Sequence, residues 1–247
     1  MLAFYFITSS LEKTCWMWYD EGVTDNAEIE NIEGYLPVGF FNGGDFGINE
    51  LSGKIDGRKL RGDKTRIALA DAMLSLIEEG SPLPSSREIA ERAGVSVRLV
   101  FHHFKDMDML YLAAAGLQYE KHWKNLHQIP STLPLEERVN SIIKQRTSIY
   151  RGVAPVRRAT AALDTRSKVV KEFRQILRVS SRTQIEAIFA PETKKAKNPE
   201  ELADAIDLAT SFEAWDSLAR QLGDLNERIE NAMSFAIFSI IRCSVAN

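Results

Sequence analysis

The chain has few cysteines and no long hydrophobic run. Only Cys15 and Cys243 occur among its 247 residues, and they lie near opposite ends of the sequence, which excludes a disulfide framework and a cysteine-based metal site. The apolar stretch 232–241 is interrupted by Ser234 and Ser239 and is much shorter than the roughly 18 apolar residues that a membrane-spanning helix needs. These absences predict a cytoplasmic protein without a membrane segment.

Histidine is scarce as well, and signatures of catalysis are missing. The four histidines are His102, His103, His122 and His127. Adjacent residues on a helix point about 100° apart, and residues five apart do not share a face, so neither pair predicts a metal site. The sequence has no nucleophile elbow, phosphate-binding loop or nucleotide-binding fingerprint. We therefore expect neither an enzyme nor a bound cofactor or metal.

The net charge of −3 is unusual for a protein that binds nucleic acid, so the distribution of charge matters more than its sum. Residues 1–53 carry nine acidic residues and only Lys13, a balance of −8, which leaves +5 for residues 54–247. Basic residues cluster where the second segment begins: Lys54, Arg58, Lys59, Arg61, Lys64 and Arg66. This modest cluster is compatible with phosphate contacts but does not by itself indicate a function.

Residues 1–53 form a compositionally distinct segment without helical or strand periodicity. They contain seven of the 14 glycines and ten of the 22 aromatic residues. Disordered segments are usually poor in aromatics, so three interpretations stay open: a flexible extension, a segment ordered against a partner subunit, or upstream sequence translated from a misassigned start.

The rest of the chain has helical periodicity and predicts an all-α fold with two domains, residues 54–128 and 129–247, separated at Pro130 and Pro134. In the first helix we expect Asp63 to be the cap and one face to be buried: Ile67, Ala70, Leu74 and Ile77. Further helices are predicted at about 86–93, 97–103, 106–127, from a Thr132 cap to 151 (ended by Gly152 and Pro155), from Asp164 or Thr165 to 189, from Asn198 to 222, and from Asp224 onward.

The last two predicted helices carry apolar stripes. Residues 232–241 are apolar around too much of the helix circumference for a terminal helix that faces solvent. We therefore expect a two-fold, four-helix interface with a second subunit, formed by Ile206, Ala209, Trp215, Leu218, Leu222, Ile229, Met233, Ala236, Ile237, Ile240 and Ile241.

One segment, SSREIAERAGVSVRLVFHHF, matches a helix-turn-helix. Ala90 is small enough for the second helix to cross closely over the first, and Gly94 supplies the left-handed backbone of the turn. Ser96 is placed to cap the second helix, while Val100 and Phe104, four residues apart, anchor it to the core.

This packing leaves Val97, Arg98, Leu99 and His102 on the outer face of the second helix. An exposed Val-Arg-Leu at a helix start contributes little to stability, but it suits a helix whose first turn meets base edges in the major groove. Arg98 can make two hydrogen bonds to a guanine, and the aliphatic side chains can contact thymine methyl groups. The sequence therefore predicts specific binding to double-stranded DNA.

Residues 64–112 resemble the DNA-binding domain of the TetR family of transcriptional regulators. The similarity rests on the Ile-Ala-x-x-Ala-Gly-Val-Ser core, the Phe-His-His-Phe run with the residues that follow it, and the lead-in at 61–66. The resemblance implies a role in DNA binding for seven residues. Ser86 and Arg87 would begin the helix before the reading helix and touch phosphate or a base. Val97, Arg98, Leu99 and His102 would read bases, and His103 would donate to phosphate.

Two residues depart from the family pattern. Phe101 stands where the family usually has tyrosine, and Met107 stands where it usually has lysine. Each change removes a group that would bind phosphate, so Lys105 or the basic arm 58–64 would have to compensate.

The resemblance also implies that residues 129–247 form a helical domain for ligand binding and dimerisation, with 211–219 similar to a run in many members. The implied function is a homodimeric repressor that a small-molecule effector releases from its operator DNA. The alternative is a helical DNA-binding protein without an inducer, either architectural or controlled by a protein partner, and a fully packed second domain would favour it. Seven aromatic residues are candidates to line a ligand pocket, although each alone also fits a plain core role: Tyr119, Trp123, Tyr150, Phe173, Phe189, Phe212 and Trp215.

Overall fold

A computed structural model describes residues 57–123, 127–163, 165–223 and 225–245. The interpretations of residues 1–53 and the predicted caps Asp164 and Asp224 lie outside these ranges. Within them the chain is all-helical and has no strand, as predicted. The helices are α1 (Gly57–Glu78), α2 (Ser86–Ala93), α3 (Val97–His103), α4 (Met107–Trp123), α5 (Leu135–Ala159), α6 (Lys168–Ile188), α7 (Ala190–Thr193), α8 (Pro199–Ala209), α9 (Phe212–Leu222) and α10 (Asn226–Val245), with a 3-10 turn at Thr160–Leu163 between α5 and α6. None of the described helices is both long and apolar enough to span a membrane.

Two buried apolar clusters organise these helices, and α5 takes part in both. The first cluster contains side chains from all four helices α1, α2, α3 and α4. It also includes Val156 and Ala159 near the end of α5 and Val170 and Phe173 on α6. The second joins the earlier part of α5 to the end of α6 and to α8, α9 and α10. The division predicted at residue 128 stays a prediction, and the core around α1 to α4 draws on helices beyond it.

The first helix begins before its predicted start. Because α1 starts at Gly57, Asp63 lies inside the helix and cannot be its cap. The buried face is centred on Leu69, Met73 and Ile77. Ile67 was expected on that face, but no neighbouring helix covers it and it is 56% exposed.

Helix α5 continues through the residues that were expected to end it. It starts at Leu135 after Pro134, not at a Thr132 cap, and it runs past Gly152 and Pro155 to Ala159. Pro155 has no N–H to donate within the helix, but Val153, Ala154 and Val156 around it are buried, so tertiary packing keeps this segment helical.

The helix predicted over 198–222 is two helices. Its break lies at Thr210 and Ser211, where Ser211 Oγ accepts from the backbone N–H of Ala214 and caps α9. The carbonyl of Thr210, left without a helical partner, accepts from Arg146 Nη1 at 3.1 Å and from the Tyr150 hydroxyl at 2.8 Å. The preceding long helix, α6, is capped by Ser167 and not by Thr165.

Most residues of the expected subunit interface are used inside the chain instead. The buried members are Ile206, Trp215, Ile229, Met233, Ile237 and Ile241, all in the second cluster. They cannot face a partner, because those on α8 and α9 and those on α10 already pack against α5 and the other C-terminal helices. The large apolar side chain left exposed on α10 is Phe235, which is 75% exposed.

Candidate nucleic-acid interface

The start of α2 is fixed by a reciprocal pair of hydrogen bonds. Ser85 Oγ accepts from the backbone N–H of Glu88 at 3.3 Å, and Glu88 Oε2 accepts from the backbone N–H of Ser85 at 2.7 Å. Two hydrogen bonds from Ser85 lower the pKa of Glu88, and the bond from the hydroxyl has a larger effect than the bond from the backbone N–H. This capping box holds Ser86 and Arg87 in the first turn of α2.

The turn between α2 and α3 has the predicted geometry. Gly94 adopts φ 68° and ψ 31°, the left-handed conformation that glycine takes without strain. The backbone N–H of Val95 donates back to the carbonyl of Ala90 at 2.9 Å. Ser96 Oγ then accepts from the backbone N–H of Leu99 at 3.3 Å and caps α3. The local sequence therefore fixes the turn between the two helices.

Helix α3 separates into an anchored face and a solvent face. The predicted anchors Val100 and Phe104 are fully buried. The solvent face carries Val97, Arg98 and His102, as expected, while Leu99 is only half-buried and less exposed than predicted.

Phe101 also belongs to the solvent face and was missing from the predicted contact set. It is 49% exposed and lies four residues after Val97, which places both on one side of the helix. That spacing was the available signal. The outer surface of α3 is thus more apolar than the predicted set implied.

At the far end of α3, His103 lies beside α1. Its ring comes within 4.0 Å of the position a Cβ of Gly62 would occupy, and Arg66 lies over the ring of the buried Phe104, 5.7 Å from its centroid. Burial lowers the pKa of His103, and the nearby His102 and Arg66 lower it further. Arg66 belongs to the basic cluster noted in the sequence, and the structure places it next to a predicted phosphate contact.

The remaining predicted contact residues lie at the start of α2 and just beyond α3. Arg87 Nε donates to Glu91 Oε1 at 2.9 Å, and because both side chains are exposed, this pair is screened and easily exchanged. Ser86 is half-buried, and Lys105 is exposed just beyond α3.

A salt bridge and a helix cap hold α2 and α3 in place relative to the neighbouring helices. Arg92 donates to both carboxylate oxygens of Glu79, joining α2 to the segment after α1. Asp106 Oδ1 accepts from the backbone N–H of Met109 at 3.0 Å and fixes the start of α4. Through α4, the position of α3 is linked to α5 and α6.

A second feature is a cleft between α4, α5 and α6. Its cavity volume is about 30 Å³, and the wider depression of about 410 Å³ around it includes open solvent. Of the seven aromatic candidates, Tyr119 and Phe173 line it, while Phe189, Phe212 and Trp215 belong to the packed core. Tyr150 instead supports the break between α8 and α9. The side chain of Trp123 lies outside the described part of the chain.

Comparison with known proteins agrees with this geometry. Residues 69–114 match the profile of the bacterial regulatory proteins of the tetR family. The fold resembles the crystal structure of a transcriptional regulator from Rhodococcus sp. RHA1, with a TM-score of 0.57 and 23% sequence identity over 75% of this chain and 98% of that one. It also resembles a protein from Rhodococcus sp. classed with the TetR-family transcriptional regulators, with a TM-score of 0.50 and 17% identity over 72% of this chain and 99% of that one.

No curated protein sequence matches the chain significantly. The profile match covers the helix-turn-helix with its capped turn and its solvent-facing second helix, and the structural similarity extends over the helices that follow. The helix-turn-helix region of this chain, residues 69–114, is therefore similar to the bacterial regulatory proteins of the tetR family.

Proposed function

We propose that the protein is a homodimeric repressor that places α3 in the major groove of its operator and is released by a small molecule bound between α4, α5 and α6. The observation that carries this proposal is the solvent face of α3. An outer surface of Val97, Arg98, Phe101 and His102 on a helix anchored by Val100 and Phe104 has no use in the fold of the chain, and it matches the needs of base recognition.

In the proposed complex, the residues divide into two groups. Val97, Arg98, Leu99 and His102 read base edges, with Phe101 adding apolar contact to thymine methyl groups. Phosphate is held by Ser86, Arg87, His103 and Lys105, joined by Arg66. The position of His103 against α1 supports this division, because it lies at the end of α3 away from the Ser96 cap.

The exposed side of the C-terminal helix α10 supports the proposal of a dimer. One face of α10 is buried in the chain, while Phe235 projects from the opposite side between the small residues Ala232 and Ser239. An exposed phenylalanine flanked by small side chains allows two helices to approach closely around a two-fold axis. Operator binding by a dimer places two copies of α3 one helical turn of DNA apart, about 34 Å.

The cleft favours an effector-controlled repressor over a DNA-binding protein without an inducer. The second domain is not packed solid against α4, since a cleft with a cavity volume of about 30 Å³ lies between α4, α5 and α6. A molecule that enlarges the cleft must displace α4, and α4 follows α3 directly in the chain. Such a displacement changes the spacing of the two reading helices in a dimer, and operator affinity falls because the two half-sites can no longer be reached together.

Selection of binding sites from random DNA with the full-length protein tests the proposal. We expect a palindromic site whose half-sites are about 10 base pairs apart, bound by one dimer. The Val100→Ala variant should lose binding through loss of the anchored reading helix, whereas Ser217→Ala, an exposed change on α9, should behave like the unmodified protein. Recovery of no preferred sequence, with binding that depends only on salt, would contradict a repressor that recognises an operator.

A further inference from the structure

Two buried polar atoms at the cleft have no hydrogen-bond partner within the described part of the chain. They are Gln118 Oε1 and Arg157 Nε, and both residues line the cleft. Gln118 is only 3% exposed. Buried polar atoms are almost always paired, since an unpaired one forfeits its hydration without compensation. A bound molecule that pairs with Arg157 Nε and with the Gln118 amide group is therefore favoured.

The lining of the cleft is also positively charged. It contains the guanidinium groups of Arg157 and Arg174 and no aspartate or glutamate. Arg174 Nη2 donates to Thr160 Oγ1 at 3.0 Å and to the carbonyl of Arg157 at 3.3 Å, so the two arginines are held close together. Two cations beside a partly desolvated space attract an anion more strongly than they would in water.

Arg157 is held in place from the side away from the cleft. Its Nη2 donates to Glu213 Oε1 at 2.7 Å, and its guanidinium lies over the ring of Phe212, 4.4 Å from the centroid. Glu213 balances one of the two positive charges but does not line the cleft. These contacts leave the buried Nε of Arg157 without a hydrogen-bond partner in the described part of the chain, so this N–H is available to donate to an anion.

Most of the remaining lining is apolar and includes Leu112, Val153, Val156, Phe173 and Leu177. Tyr111, Tyr119 and Thr160 add hydroxyl groups. The space between them is small, so the occupant has an apolar body no larger than a ring or a short alkyl chain.

We infer that the effector is a small amphipathic carboxylate whose charged end binds Arg157 and Arg174 and whose apolar body lies between α4, α5 and α6. The Gln118 amide completes the polar end, because after rotation it can present either its oxygen or its NH2 group. This inference rests on the proposed function in one respect, namely that the cleft is the effector site.

Direct binding to the full-length protein tests the inference. Benzoate, phenylacetate and octanoate are each compared with their own carboxamide by calorimetry and by thermal denaturation, at one ionic strength set with potassium chloride. We expect at least one acid to bind at least tenfold more tightly than its amide and to raise the Tm. The shape is nearly the same within each pair, so the difference reports the charge.

Variants assign the binding to the cleft. Arg157→Met keeps the aliphatic stem but removes the charge, and it should lower acid affinity at least tenfold. Arg158→Met is the matched control, because Arg158 is the next residue, is exposed and pairs with Asp216 outside the cleft. Gln118→Glu is nearly isosteric and should weaken binding of the acid more than binding of the amide, which keeps the test available if Arg157→Met does not fold.

Three results would overturn the inference: equal affinity for acid and amide, equal losses in Arg157→Met and Arg158→Met, or no binding of any of the acids. Operator binding is measured separately without any acid present. A protein that binds its operator but no carboxylate leaves the repressor proposal standing and removes the ligand class, whereas a protein that binds acids but no specific DNA does the reverse.

Discussion

Arg98 and His103 lie at opposite ends of α3, and their proposed contacts are of different kinds. Arg98 is in the first turn after the Ser96 cap and is exposed. We expect Arg98→Ala to cost about 1–3 kcal/mol on the operator and to relax discrimination at one base pair of each half-site. His103→Ala should weaken operator and random DNA by the same factor, because phosphate contacts carry no sequence information.

Titrations of both variants at several salt concentrations separate these effects, since phosphate contacts weaken with salt. Lys144→Ala, an exposed change on α5, is a control for general loss of positive charge. If Arg98→Ala lowered operator and random-DNA affinity equally, Arg98 would be a phosphate contact, and base reading would fall to Arg87 or His102.

The proposed phosphate contact of His103 should make DNA binding depend on pH. Burial, His102 and Arg66 lower its pKa below the usual 6.5, so in the free protein it is largely neutral at pH 7. A DNA phosphate raises that pKa, and binding therefore takes up a proton, so operator affinity should increase as pH falls from about 7.5 to 6. Titrations with His103→Gln, which keeps His102, should show a flatter profile. Identical profiles would mean that His103 does not meet phosphate.

The same lowered pKa has the opposite effect on folding. In the folded chain His103 resists protonation, whereas in the unfolded chain it binds a proton near pH 6.5, so its contribution to stability is lost as pH falls through that range. Urea denaturation of the free protein at pH 7.5 and pH 6 should show a smaller loss of stability for His103→Gln than for the unmodified chain. A larger loss in the variant would contradict the direction of the pKa shift.

At the scale of single elements, the crossing of α4 and α5 depends on a glycine. A methyl group at Gly152 would overlap the imidazole of His122. We expect Gly152→Ala to destabilise the protein by about 1–3 kcal/mol because the contact becomes overpacked, and a second change, His122→Ala, to recover much of the loss. Urea denaturation measures both.

Gly62→Ala is the matched control for that experiment. Gly62 is also helical, but the nearest side-chain atom to an added Cβ is 4.0 Å away, so the change should be neutral or stabilising, as expected for alanine over glycine in a helix. Equal stability of Gly152→Ala and the unmodified protein would show that His122 can rotate away freely.

The elements that could be predicted from the sequence are those fixed by neighbouring residues. The bounds of α2 and α3 follow from the Ser85 capping box, Gly94 and the Ser96 cap, all within one or two turns. The continuity of α5 through Pro155 could not be predicted in the same way, since it depends on burial against helices distant in sequence. Likewise, the break after α8 is held by Arg146 and Tyr150, more than 50 residues away in the chain.

The candidate site also combines a part that could be predicted from the sequence with a part that could not. The solvent face of α3 follows from a spacing of four between its anchors, and the exposure of Phe101 follows from the same spacing from Val97. The cleft could not be predicted, because Gln118, Arg157 and Arg174 come from three helices and nothing in their spacing brings them together.

At the scale of the whole molecule, the proposed dimer can be tested at an exposed apolar side chain. Phe235 on α10 is 75% exposed, and Phe235→Glu should convert the proposed dimer into a monomer, because two carboxylates would meet at the two-fold axis. Sedimentation velocity at micromolar concentration measures this. Leu208→Glu, also on an exposed apolar position but on α8, is the comparison. A dimer that persists in Phe235→Glu would place the interface elsewhere.

The sharing of α5 between two apolar clusters limits how the molecule can be taken apart or recombined. Val156, Ala159, Val170 and Phe173 complete the core around α1 to α4, so a fragment ending near residue 128 would expose that core and aggregate. A chimaera that joins the helix-turn-helix of this chain to the C-terminal helices of a similar protein needs its junction after α6, or must carry these four side chains across with it. The helix-turn-helix and the smallest segment that can be exchanged as a unit are therefore not the same.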